Sequence, residues 1–430
     1  MARSSKGRLA LWTAGGLLMG AALAFLLLNI VARTSWGRER VLSITLNALG
    51  KSINQGTGGL TVARSEGNLF EGARLYGVRL HDAQGRNFVV ADSAYARYDV
   101  RTLLSPRIVV DSLTLFHPDI YVFQMPGDSL WNYQAIFANN TPRDTTKPRI
   151  ERLLQAGWIK LVDAHVRVET PFRADTTLPV REQRRIVREA LADSSPVVIR
   201  QVPGGYVRTI DLRRMNGVMR NVRFAPGSPR GSRFAIESLS GNVHFYRRPI
   251  EIRQLQGNLA LFNDHVEFDF PLGRLPNSRL ATSGVVRLDS FPEWYDRSQG
   301  PAYDVAIRGD SLAFRDMQWL YPRFPSDARG RLNLLIETRP GGVMITARNA
   351  DVRAPGTRIA GSFGMVLGDT LRFVDVDVRA RPLRASFLER MLPDGLPVKG
   401  LVLGGAEIRG NNAARVEEND ADAEAAEPEG

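Results

Sequence analysis

No cysteine occurs among the 430 residues, which excludes a disulfide framework, a thiolate metal site and a lipoprotein attachment cysteine. Histidine is scarce. His81, His117, His165, His244 and His265 stand singly, without the H-x-H or H-x-x-x-H spacing that holds a metal. A G-x-S-x-G elbow, a Walker loop and a dinucleotide fingerprint are also missing, so the common nucleophile and nucleotide sites have no sequence basis. The arginine-rich stretches lack the interleaved aromatics of a single-stranded nucleic-acid groove. The sequence therefore reads as a non-enzyme with no cofactor, no metal and no nucleic-acid partner.

What is present is positive charge, one long apolar run and many short strands. The formal charge is +12. Glu417 to Gly430 hold seven acids and no base, so removing that tail leaves +19 on the rest. A body this basic favours anionic surfaces such as phospholipid headgroups. Leu9 to Ala32 is 24 residues without a charge. As a helix it would measure ~36 Å, enough to cross a bilayer. Arg3, Lys6 and Arg8 precede it and Trp12 lies near its start, which fits an uncleaved anchor with a short cytoplasmic end. A cleaved signal peptide would need a small residue three before the cut, and a cut after Ala32 puts Ile30 there.

From Gly59 onward, short apolar segments recur at about ten-residue spacing with Gly, Asp or Pro between them, the pattern of an all-β chain. The stretch Ile359 to Arg379 is the clearest hairpin. A two-residue Gly368-Asp369 loop predicts Phe363 opposite Val374, Gly361 opposite Val376 and Ile359 opposite Val378. Those six would share an apolar face, with Asp375, Asp377 and Arg379 on a solvated one. Short helices are expected at Trp36 to Leu49, Ser129 to Phe137, Leu312 to Leu320 and Leu383 to Leu392, and an exposed basic helix or a mobile insertion within Pro179 to Ser195. The third and fourth of the short helices are each followed by two prolines and a glycine-led strand, a weak repeat of about seventy residues. No helix is long and amphipathic enough to cover so much sheet. The apolar faces must then meet each other in a sandwich or barrel, or line a trough of some 25 to 28 strands, on the order of 120 Å long, that takes an apolar ligand.

The boundaries read from these shifts are 1–8 cytoplasmic, 9–32 transmembrane anchor, 33–138 first β segment, and 139–205 linker, strands and basic insertion. Repeated β units follow over 206–411 and an acidic disordered tail over 412–430, its texture beginning at Gly410.

The order of anchor, then Leu69-x-x-Gly72-x-x-Leu75-x-x-Val78-x-Leu80-x-Asp82-x-x-Gly85, then Leu103-Leu104, then Val110-x-x-Leu113-x-Leu115-x-x-Pro118-x-Ile120-x-Val122, resembles the N-terminal part of TamB-like proteins within the AsmA-like group. Trp319-Leu320-x-Pro322-x-x-Pro325 followed by Gly330-x-Leu332 resembles that family's internal repeats. The resemblance implies a mainly β fold: an N-terminal transmembrane helix, then an elongated, curled antiparallel β-sheet groove with a few short helices. It implies a single-pass protein of the bacterial inner membrane with its bulk in the periplasm. The role implied is outer-membrane biogenesis, through movement of phospholipid acyl chains or through outer-membrane protein assembly and secretion. Membrane lipids and an outer-membrane barrel would be the partners. Family members usually continue well beyond 430 residues, and here the sequence ends in the acidic tail. Residues expected to line the groove are Val266, Phe268, Phe270, Leu332, Leu334, Ile336, Phe363, Val374, Val376 and Val378. A structural or chaperone-like module whose strand edges pair with client barrel proteins is the alternative.

Overall fold

The computed structural model describes residues 58–68, 72–97, 108–137, 154–172, 179–192, 198–225, 228–244, 249–287, 302–318, 324–339, 342–367, 370–384, 386–387, 402–403 and 406–415. The anchor at 9–32, the helix expected at 36–49, the 139–147 linker and the Gly368-Asp369 loop lie outside them. No helix among the described residues is long and apolar enough to cross a membrane.

The chain is mainly β. Its strands are β1 Gly59–Thr61, β2 Arg64–Asn68, β3 Gly72–His81, β4 Asn87–Arg97, β5 Ile108–Phe116, β6 Asp119–Phe123, β7 Leu154–Phe172, β8 Ile199–Val202, β9 Gly205–Phe224, β10 Ser232–His244 and β11 Ile250–Leu261. Then come β12 His265–Arg274, β13 Arg279–Arg287, β14 Ala302–Ala313, β15 Arg329–Arg339, β16 Gly342–Ala354, β17 Thr357–Leu367, β18 Thr370–Ala380, β19 Leu383–Arg384, β20 Val402–Leu403 and β21 Ala406–Arg415. Among the described residues α1 Asn132–Phe137 and α2 Val180–Leu191 are α-helical, with a short helical piece at 386–387. Nineteen strands form one sheet, and only β19 and β20 pair apart from it.

The pairings run in an open line. β1 and β2 share one side of β3, and the ladder proceeds through β4, β5 with β6, β7 and β9 to β10. From β10 each strand pairs with the next to β18, which pairs with β21. Among the described residues β21 pairs only with β18 and β1 and β2 pair only with β3, so the described strands do not close a barrel. With end-to-end strands counted once the ladder is sixteen strands wide, about 70 Å at ~4.8 Å each. That is shorter than expected, because several apolar segments are parts of one long strand: β7 has 19 residues and β9 has 20.

Two expectations are corrected. The sheet is mixed, since β5 and β6 both run parallel to β7. They are two pieces of one line interrupted at His117, with φ 45°, and Pro118, which has no N–H for the ladder. β21 pairs with β18 as far as Arg415, inside the segment read as tail. An acidic composition does not prevent pairing where the acids begin only at Glu417.

Helices are few, as expected. In α2 the exposed basic sequence is helical, with Glu182 in its first turn and the Arg185 Nε–H donating to it at 2.8 Å. At the Leu312 to Leu320 signal, β14 continues to Ala313 and only Phe314–Met317 turns, as a 3-10 helix. At the second signal Leu383–Arg384 form a two-residue strand and residues 386–387 are helical. Both signals deliver a phenylalanine to one cluster: Phe314 and Phe387 are buried with Ala328 and Val352, against Phe324 and Ile359. The repeat therefore marks caps over one margin of the sheet. At the other margin α1 packs Tyr133 near Phe88 and Phe224, and Gln134 donates to Asn263 beyond β11. Burial lifts the Tyr133 hydroxyl to about 12.

Candidate functional site

Directly opposed residues in a ladder share a face, so the pairings trace which side chains lie side by side. One row starts at Leu75 on β3 and passes Ala94, Leu115 and Leu161 to Gly217 on β9. It continues through Leu239, Leu255, Gly273 and Leu280 to Gly309 and Leu332. Leu332 faces the bulge at Asn349, and the row resumes at Ala350, Gly361 and Val378. Fourteen strands contribute, and none of these residues is charged.

Parallel rows lie beside it. Leu259, Phe268, Gly284, Val305, Ile336, Ile345, Met365 and Phe373 oppose one another in turn from β11 to β18. Between the two rows, Phe270, Thr282, Ile307, Leu334, Ala347 and Phe363 do the same. Val266 belongs to a fourth row with Leu261 and Val286. The Phe268 and Phe270 rings stack at 5.7 Å on this face.

Nine of the ten residues expected to line a groove thus share one face: Val266, Phe268, Phe270, Leu332, Leu334, Ile336, Phe363, Val376 and Val378. Val374 does not. It opposes Gly364 and joins the row of Thr346, Ala306, Ser283 and Asp269 on the charged face. The expected hairpin register fails for the same reason. Asp375 sits at φ 50° in a bulge, so Gly361 pairs with Val378 and Ile359 with Ala380, two residues from the expected partners. The inserted residue flips Val374 while leaving Val376 and Val378 where alternation put them.

All nine are half-buried and none is fully buried. Two sheets packed face to face ~10 Å apart would bury such residues, but no second sheet larger than β19 and β20 is described. The buried cores are small, one around Phe314 and two, around Val78 and around Leu161, that share Leu115. The glycines of the long row let neighbouring leucines lie flat. A Cβ on Gly217 would meet the Leu239 Cδ1 at 2.7 Å, and one on Gly309 the Leu312 side chain at 2.3 Å.

All eleven strand pairs from β7/β9 to β18/β21 contain a register shift, most at or within a few residues of the Leu–Gly row. A bulge bends its strand and increases local twist. Aligned at one level, the bulges bend successive strands at one height.

Sequence reasoning missed a polar cluster on the other face of β6, β7 and β9. The His165 ring lies 3.1 Å from Asp119 Oδ1 through Nδ1 and 3.1 Å from Asp211 Oδ1 through Nε2. Arg167 and Arg213 also bind Asp211, at 3.1 and 2.8 Å. Burial alone would raise Asp211, but the hydrogen bonds from Arg213, His165 and Arg167 hold it down at about 2. Each of its carboxylates lies 46 residues from His165, so no local motif announced it. The cluster ties three strands together, and no group among the described residues could hold a metal ion. No family model, curated protein or solved structure matches the chain.

Proposed function

We propose that the apolar face is the functional surface and that it holds lipid acyl chains. In this reading the aligned bulges curl the sheet about that face into a trough. The cap at Phe314 and Phe387 and helix α1 close its two margins, leaving the row between them open along the ladder. The observation that carries the proposal is the uncharged row crossing fourteen strands, whose side chains, the buried Ala94 and Leu161 apart, the chain itself leaves half-covered. Each methylene laid against it would contribute ~0.8 kcal/mol, so one chain binds without polar recognition.

With Leu9 to Ala32 as anchor, the resemblance to TamB-like proteins makes the setting the bacterial inner membrane. The trough would project into the periplasm as a passage for phospholipid in outer-membrane biogenesis. A second reading has one observation in its favour. The outer edges of β1, β2 and β21 have no strand partner among the described residues, and a client β-barrel strand could add there.

The full chain, purified in a mild nonionic detergent and analysed by mass spectrometry, tests the choice. Phospholipid or fatty acid retained at about one molecule or more per chain is expected. A lipid-free chain that crosslinks to nascent barrel proteins through β21 would replace the first reading with the second.

A further inference from the structure

The charged face carries a second site. Arg274 and Arg279 oppose each other directly across the β12/β13 hairpin, a like-charge pair that a ladder ordinarily avoids. They line a cavity of about 520 Å³ together with Arg253, Gln254, Asn277 and Ser311. By register Gln254, Arg274, Arg279 and Ser311 form one row across β11 to β14.

No acid among the described residues pairs with Arg274 or Arg279. Glu251 is engaged by Arg253 at 3.4 Å. Asp316 accepts from the Asn277 backbone N–H at 2.7 Å and its side-chain amide at 3.0 Å. Asp310, in the bulge opposite Arg279, makes no ion pair with either arginine. A second cavity of about 220 Å³ adjoins through Arg253 and Gln254 and brings in Lys160. The two cavities are therefore lined by four cations and no acid, with Glu251 and Asp316 beside them already engaged.

We propose that this furrow binds a phosphate ester. The phosphate sits between the guanidinium groups of Arg274 and Arg279, which offer forked donors suited to phosphate oxygens. Gln254 and Ser311 flank the arginine pair on its two sides, and their side chains have no protein partner among the described residues, so a hydroxylated substituent meets a polar side chain in either direction. The volume, about 520 Å³, leaves room for an organic substituent beyond the bare anion. The ester is either a soluble metabolite or the headgroup of an anionic lipid presented at a membrane surface. The site stands on the opposite face from the apolar row and does not rest on the acyl-chain reading.

Titration calorimetry on the full chain in nonionic detergent at low salt tests it, with glycerol 1-phosphate and inorganic phosphate as probes. The ester is expected to bind more tightly than inorganic phosphate, and Arg274→Ala with Arg279→Ala to weaken it at least tenfold. Arg287→Ala with Arg372→Ala, which removes the same charge elsewhere, leaves the affinity within twofold. Arg274→Glu creates a cross-strand ion pair with Arg279, so it should abolish binding while melting at or above the wild-type temperature. Competition by phosphatidylglycerol in mixed micelles of the same detergent, and none by phosphatidylcholine, assigns the headgroup as source; no competition by either assigns the soluble ester. Equal affinity for inorganic phosphate and ester, equal loss in both double variants, or no binding overturns the proposal. Ile336→Glu on the apolar face leaves glycerol phosphate binding unchanged, so failure of one site is separable from failure of the other.

Discussion

Ile336→Glu separates an open apolar face from a packed one. Ile336 lies between Val305 and Ile345 in the middle of the sheet and is half-buried. Full burial of such a side chain is worth about 1.5–3 kcal/mol, so a half-covered one forfeits roughly 1–1.5 kcal/mol. On an open face the new carboxylate keeps most of its water, and the total loss stays near 2 kcal/mol, a fall of about 5 °C in melting temperature. Inside a closed sandwich the same carboxylate would be stranded without a partner, at more than about 4 kcal/mol. The effect on ligand is the reverse in size. A charge that displaces three methylenes costs about 2.4 kcal/mol, or roughly 50-fold in affinity. The assay is fluorescence titration with a long-chain fatty-acid probe beside thermal melting, with Ile336→Leu as the volume-conserving control. Unchanged probe affinity in a folded variant refutes the groove, and a melting temperature more than about 10 °C lower refutes the open face.

Gly284→Val should lose about 2–3 kcal/mol, because its Cβ would stand 2.3 Å from the Asp304 carbonyl oxygen and 2.8 Å from the Val305 Cα; urea unfolding measures it. At Asp375, φ 50° makes Asp375→Gly nearly neutral and Asp375→Val unfavourable by about 1–2 kcal/mol, seen as a shift in the urea midpoint. Asp211, held at about 2 when folded against ~3.9 unfolded, contributes stability that is complete above about pH 5 and is lost progressively as pH falls toward about 1. Asp211→Asn should therefore be about 2 kcal/mol less stable than wild type at pH 6 and within about 0.5 kcal/mol of it at pH 2, by urea denaturation at each pH.

Most of the face was legible from alternation. Phe268, Leu334 and Ile336 could be assigned together because strand side chains repeat every second residue, whatever the neighbours do. Register was not legible, since it depends on bulges, and a residue such as Asp375 or Asn349 at positive φ has no reliable local signature. That is why Val374 was misplaced while Val376 was not. The parallel pairing of β5 and β6 with β7 was equally hidden, because direction is set by a crossover beyond any local window. Phe314 and Phe387 fall inside segments that read only as short helices, and their meeting in one cluster needs the fold. The His165 cluster and the Arg274–Arg279 pair are assembled by register alone.

The dislocation recurring in every strand pair from β7/β9 to β18/β21 bears on how such a molecule can change in size. Each hairpin brings its own kink and its own share of the leucine–glycine row, so a duplicated hairpin could be spliced in, or one excised, and the flanking rows would still meet in phase. Length would then be adjustable in steps of two strands, about 10 Å, by ordinary tandem duplication. Matching the protein to a gap of given width would need no redesign of its interior.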